Sequence, residues 1–131
     1  MEQLISISNR IPETEPKLRV YPNYVSINAA GARLLGIEDG DYIQINTSVV
    51  AQLTGRKNYY IGKPKQDIIG AYPVARRGNT MLIHSRHLSK KLIDLLDGRG
   101  CYRICPEDSI KTKDAIWYNI FFKNYDKKNT D

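Results

Sequence analysis

Two stretches of this chain carry the same order of apolar and polar positions. In residues 24–45, Val25 and Ile27 alternate with Ser26, the two-residue period of a strand with one buried face. Asn28 can accept a hydrogen bond from the orphan amides of a following helical turn, so it is placed as an N-cap. Residues 29–35 favour helix, weakened at Gly31. Gly36 is placed to take the positive φ that ends a helix. Asp39-Gly40 marks a turn, and residues 42–45 resume as a strand. Residues 80–105 repeat the order. Met81, Leu82 and Ile83 form a strand, and Ser85 is an N-cap. Leu88, Leu92, Leu95 and Leu96 line one face of a helix, Gly98 stops it, and residues 101–105 run on as a strand.

The correspondence extends outwards. Ile27 matches Ile83 at an offset of 56, residues 18–21 match 74–77 at the same offset, and residues 58–61 match 116–119 at 58. Tyr42 matches Tyr102 at 60, so the offset drifts only across the helix and later loops. Residues 17–62 and 73–120 are therefore each expected to be a ββαβ(β) unit. The fold class is mainly β with two short helices, in one domain over residues 1–131. Residues 1–16 supply an edge strand or arm (LISIS) and a Pro- and Glu-containing linker. Residues 49–61 are expected to form a hairpin, and residues 68–77 and 80–84 a second hairpin about Gly78-Asn79. The aromatic stretch 115–122 closes the core, and 123–131 is a polar tail.

Composition narrows the setting. A chain of 131 residues can bury a core without disulfides or metals. It has no apolar run near ~18 residues, which excludes a helical membrane span. The start, MEQLISISNRIPETE, lacks the basic opening and long apolar stretch of a signal peptide, so a cytoplasmic location is expected. Two unpaired cysteines agree with a reducing compartment. Net charge is +6, with 8 Lys+Arg against 6 Asp+Glu in residues 1–65 and 12 against 8 in the remainder. This bias, heavier in the second half, suits a polyanionic partner.

His84, His87, Cys101 and Cys105 spell H-x2-H…C-x3-C, residue types that zinc favours. Two cysteines four apart on a strand sit ~13 Å apart, too far for a disulfide and awkward for one ion, so neither metal nor cofactor is expected. No G-x-S-x-G, G-x-G-x-x-G or P-loop occurs, and the chain is not expected to be an enzyme. Asp39 and Asp41 flank Gly40 as turn residues. The remaining candidates are basic: Arg76 and Arg77 beside the Gly78-Asn79 turn; Arg86, Lys90 and Lys91 on the second helix, away from its Leu stripe; and Arg56, Lys57, Lys63 and Lys65 in loops. Such groups can contact phosphates without reading bases. Tyr59, Tyr60 and Tyr72 are candidate stacking surfaces, more simply read as strand packing.

Residues 25–28 (VSIN) followed by Arg33-Leu34-Leu35-Gly36-Ile37-Glu38-Asp39-Gly40-Asp41-Tyr42-Ile43 resemble the swapped-hairpin barrel proteins of the AbrB and MraZ type, and share the "LGI…GD" step with double-psi barrels. The resemblance covers about twenty residues, and the second copy loosely. It implies that two halves interlock into one small β-barrel. It also implies DNA binding through basic residues of strands and loops, which adds Arg33 to Arg56, Lys57, Arg76, Arg77, Arg86, Lys90 and Lys91 as a nucleic-acid-binding set. Asn28 stands where those families usually have an Ile-Pro step, and the aspartate-and-arginine signature of the MraZ group is absent from the first copy. There is no Asp-Thr-Gly and no Gly-Ser cleavage step, as enzymatic double-psi barrels require. The expected function is a non-catalytic nucleic-acid (DNA)-binding module, with a regulator as the role such a module would fill. The alternative is a structural or assembly protein, homo-oligomeric or paired with other subunits.

Overall fold

The alternation read from the sequence is the alternation of the sheet. The computed structural model describes residues 13–47, 53–55, 58–65, 69–96, 98 and 100–121. In the first half, β1 (Lys17–Val20), β2 (Val25–Ile27), α1 (Ala29–Leu35), β3 (Tyr42–Thr47) and β4 (Tyr59–Gly62) follow in order. The second half holds β5 (Tyr72–Pro73), β6 (Ala75–Arg77), β7 (Thr80–Ile83), α2 (Arg86–Leu95), β8 (Gly100–Lys111) and β9 (Ile116–Phe121). Every strand pairing is antiparallel, and the sheet order is β5-β3-β4-β9-β8-β1-β2-β7-β6. The LISIS arm, residues 49–52, Arg56, Lys57 and the 123–131 tail lie outside the described residues; the hairpin expected over 49–61 has residues 44–47 as its first arm and 59–62 as its second.

One continuous stretch supplies both ends of that order. Tyr72 and Pro73 pair with Ile43 and Tyr42 of β3. The Val74 amide then donates to the Asp41 carbonyl at 2.8 Å, and the Val74 carbonyl accepts from Gly40 at 2.9 Å. Ala75, Arg76 and Arg77 cross to pair with β7. The sheet is thereby a nearly closed, barrel-like layer of nine strands. The second expected hairpin forms, but its first arm is shared between two partners, and only residues 75–77 belong to the hairpin.

Counted as one interrupted strand, β5 and β6 close the order into a ring, and that ring is unchanged when β1, β2, β3 and β4 are exchanged with β5–β6, β7, β8 and β9. The segment Val25–Ile27 pairs antiparallel with residues 81–83, the segment 56 positions on. Residues 59–62 pair with 117–120, which lie 58 positions on. This is a symmetry of connectivity and carries no statement of ancestry.

The interior is filled by one parity of each strand. Leu18, Val20, Val25, Ile27, Ile43, Ile61, Met81, Ile83, Tyr102, Ile104 and Ile120 form one buried cluster with Leu35 of α1 and Leu88 and Leu92 of α2. Each such aliphatic side chain stabilises the fold by roughly 1.5–3 kcal/mol relative to exposure. Three of the four helix ends are as the sequence implies, whereas α2 ends at Leu95 with an extended Leu96 as its C-cap, ahead of the expected stop at Gly98. The Asn28 side chain accepts from the Gly31 amide, Gly36 adopts φ +69°, and the Ser85 hydroxyl accepts from the Leu88 amide. Gly31, unfavourable for helix in isolation, is explained by packing. A Cβ there would stand 2.7 Å from the Ile27 Cγ2 methyl.

Two expectations are corrected. Residues 13–16 are not a loose linker: the Asn28 amide group donates to the Glu13 and Glu15 carbonyls, and the Ile104 amide donates to the Pro16 carbonyl. The strand expected to end at Cys105 continues to Lys111, past a register shift between Cys105 and Ser109. Pro106 falls at that irregularity, where a residue lacking an amide hydrogen is tolerated.

Candidate functional site

The other strand parity faces outward, and on β1, β2, β7 and β6 it forms a groove of about 690 Å³. Cross-strand register places its lining. At one end lie Lys17 with Glu13 beside it, Asn28, Thr80 and Arg77; in the middle, Arg19, Ser26 and Leu82; at the other end, Tyr21 and Tyr24. Steps of two residues along a strand separate these rows by about 7 Å, so the ends stand about 13 Å apart. The groove is thus basic at one end and aromatic at the other.

The aromatic end is built by a tight turn. The Tyr21 amide donates to the Tyr24 carbonyl at 2.9 Å across Pro22-Asn23, which sets the two rings face to face. Their centroids are 4.5 Å apart and their planes 18° from parallel. Such a stack contributes about 0.5–1.5 kcal/mol beyond its buried area. The fully buried Ser89 hydroxyl of α2 donates to the Tyr21 carbonyl and ties the turn to the helix. The Arg19 guanidinium lies 5.9 Å above the Tyr21 ring, within cation–π range. The exposed His84 stands beside Tyr24, at 6.3 Å and tilted by 37°.

The basic end is partly neutralised by the 13–16 segment. Lys17 is ion-paired with Glu13. On the neighbouring strand, Arg103 pairs opposite Lys17 and donates to Glu15 and Glu107, each at 2.7 Å. Those bonds, to Glu107 first and Glu15 second, hold the Arg103 guanidinium still more firmly in its charged form. The Glu107 carboxyl is held below the usual carboxylate range, chiefly by the hydrogen bond from Arg103. Burial pushes the adjacent Cys105 thiol up. Arg77, exposed at the groove wall, forms no ion pair with any described carboxylate.

The basic residues singled out from the sequence do not gather on one face. Arg77 lines the groove. Arg76, its neighbour on β6, faces a separate cleft of about 370 Å³ beside α1, which it shares with Arg33, Glu38 and Asn79. There the Arg76 Nε donates to the Gly78 carbonyl at 3.0 Å, and its backbone amide donates to Asp39 at 2.8 Å. Arg86, Lys90 and Lys91 are exposed on α2, opposite its buried Leu88 and Leu92. Arg56 and Lys57 lie outside the described residues. Of the tyrosines, Tyr60 is buried and Tyr59 and Tyr72 pack against the core, while the stacked pair is Tyr21 and Tyr24.

The sequence reading missed Lys17, Arg19, Tyr21 and Tyr24 as site residues. A signal for them exists: Arg19 and Tyr21 share a strand face, and Tyr24 follows a two-residue Pro-Asn turn that brings it opposite Tyr21. Asp39 and Asp41 are engaged as turn residues. Asp41 accepts from the Glu38 amide at 2.7 Å and faces Lys63 at 3.3 Å. Cys101 and Cys105 are buried free thiols, whereas His84 and His87 are exposed. Among the described residues no three His, Cys, Asp or Glu side chains gather to hold a metal ion. Nor is any described helix long and apolar enough to cross a membrane.

Compared with protein-family models, with curated proteins and with solved structures, the chain matches none.

Proposed function

We propose that the chain is a nucleic-acid-binding module, with DNA as its partner, that works without catalysing a reaction. The observation that carries this reading is the outward groove. Three cations, Lys17, Arg19 and Arg77, lie on one sheet face beside a stacked tyrosine pair. Phosphates take Arg19 and Arg77, Lys17 being paired with Glu13, and the aromatic end offers a surface to sugars and bases. The resemblance of residues 25–43 to AbrB-type barrels points the same way, although the basic set it suggested is spread over three surfaces.

The test is a fluorescence-anisotropy titration of the full chain with labelled oligonucleotides. Two phosphate contacts, at Arg19 and Arg77, predict that affinity falls about 7- to 12-fold between ~50 and ~200 mM salt. Arg77→Gln weakens binding, whereas Lys90→Gln on the outer face of α2 does not. Binding that is absent at low salt, or unaffected by salt, removes the proposal.

A further inference from the structure

We infer that the groove takes single-stranded rather than duplex nucleic acid, with a base seated on Tyr24 and phosphates on Arg19 and Arg77. This rests on the nucleic-acid reading above and names its substrate class. Three features of the site carry it.

The first is size. A groove of about 690 Å³ lies in the range of pockets that enclose a small molecule. It can enclose a few nucleotides of one strand, but not the width of a double helix.

The second is the aromatic end. The flat face of a base is available for stacking on a side chain only when the base has left its duplex stack. Tyr21 is already engaged, with Tyr24 stacked at 4.5 Å and the Arg19 guanidinium at 5.9 Å from its centroid. Among the described residues, Tyr24 has Tyr21 on one side and the tilted, exposed His84 on the other. A base enters there by displacing His84, and it lands on a ring whose position is already fixed. The Tyr21–Tyr24 turn bond and the Ser89 hydroxyl on the Tyr21 carbonyl hold that ring before any ligand arrives.

The third is order along the groove. Arg19 and then Arg77 follow the tyrosines at successive rows, with the Ser26 and Thr80 hydroxyls on the floor between them. An extended strand that seats one base on Tyr24 runs its backbone past both guanidinium groups. Hydroxyl groups can then bond sugars or base edges without selecting a sequence.

The experiment compares the full chain binding a labelled single strand of about twelve nucleotides with the blunt duplex of the same sequence, by anisotropy at several salt concentrations. The single strand should bind at least ~10-fold more tightly. Tyr24→Leu should lower single-strand affinity by about 10-fold, in the range of losing one base–aromatic stack, and leave duplex affinity unchanged. Tyr24→Phe should keep the parent affinity. Arg77→Gln, a change at an exposed side chain that leaves the core intact, should make the slope of log affinity against log salt shallower by about 0.7. A duplex bound as tightly as the single strand overturns this inference and leaves the nucleic-acid reading standing. So does an unchanged affinity in a folded Tyr24→Leu protein. No binding of either oligonucleotide overturns both.

Discussion

Asn28 joins the helix, the first strand and the 13–16 segment, and its replacement by alanine is the sharpest test of how this fold is held. The side chain is buried and makes four hydrogen bonds. Its Oδ1 accepts from the Gly31 amide at 2.9 Å and from the Lys17 amide at 3.0 Å. Its Nδ2 donates to the Glu15 carbonyl at 2.8 Å and the Glu13 carbonyl at 3.2 Å. Asn28→Ala removes an N-cap, which costs about 1 kcal/mol. It also leaves the buried Lys17 amide without that acceptor, which costs about 1–3 kcal/mol. The Glu13 and Glu15 carbonyls lie where water can replace the lost donor and add little. The sum is about 3 kcal/mol, or a fall in melting temperature of roughly 10 °C for a domain of this size. Asn28→Asp keeps both acceptor bonds and adds a favourable charge at a helix N-terminus, but loses the two donors, so it should fall between parent and alanine. Urea unfolding followed by the emission of Trp117, the single tryptophan, measures all three proteins. An alanine variant within ~0.5 kcal/mol of the parent, far below the cap and orphan-amide costs, would refute the account of this junction.

The remaining predictions concern packing and pH. Gly31→Ala gains about 1 kcal/mol of helix propensity but drives a methyl into Ile27, 2.7 Å away, so urea unfolding should show a net loss of about 1 kcal/mol; a more stable variant contradicts the packing explanation of Gly31. Arg103 holds the Glu107 carboxyl below its usual range. A carboxyl depressed in this way stabilises the folded state above its unfolded pKa, and that contribution is lost as pH falls through the lower, folded value. Glu107→Gln should therefore unfold at lower urea than the parent at neutral pH, and the two midpoints should converge in acid; a gap that stays constant with pH shows that the Arg103–Glu107 pair does not link stability to protons.

What could be read from the sequence and what could not divide along one physical line. Helix α1 was legible because its signals are local: Asn28 before it, Gly36 after it, and an apolar run between. Helix α2 was legible for the same reason, from Ser85 and the Leu88-Leu92 spacing. The strands β1 and β2 announced themselves by period-two alternation, which already assigns Leu18 and Val20 to one face and Lys17 and Arg19 to the other, and β7 by its apolar run Met81-Leu82-Ile83. The groove was not legible, because the β1–β2 pair that holds Arg19 and Ser26 and the β6–β7 pair that holds Arg77 and Leu82 become one surface only through the β2–β7 pairing, between strands far apart in the chain. The extension of β8 was hidden by Pro106, a local stop signal that a bulge overrides. Arg76 and Arg77 look like one basic pair in sequence. Adjacent residues of a strand face opposite ways, so one lines the cleft beside α1 and the other the groove.

That last separation explains how one small sheet can hold a fold and a candidate binding face at once. Leu18, Val20, Val25, Ile27, Met81 and Ile83 use the inward parity of β1, β2 and β7 to build the core. The groove side chains Arg19, Ser26, Tyr24 and Thr80 use the intervening positions of the same three strands or their immediate ends. A change at an inward position empties core volume and acts on stability, whereas a change at a solvent-facing outward position alters charge or stacking and leaves the core untouched. The exceptions are outward residues that also carry the frame. Asn28 lines the groove but spends all its hydrogen-bonding capacity on backbone groups, so its loss acts on stability first. Lys17 sits between the two classes: its side chain meets Glu13 while its backbone is held by Asn28 at both amide and carbonyl. The 13–16 segment therefore does two things through one set of contacts. It anchors β1 to α1, and it sets how much of the positive charge at that end of the groove is left for an anionic strand.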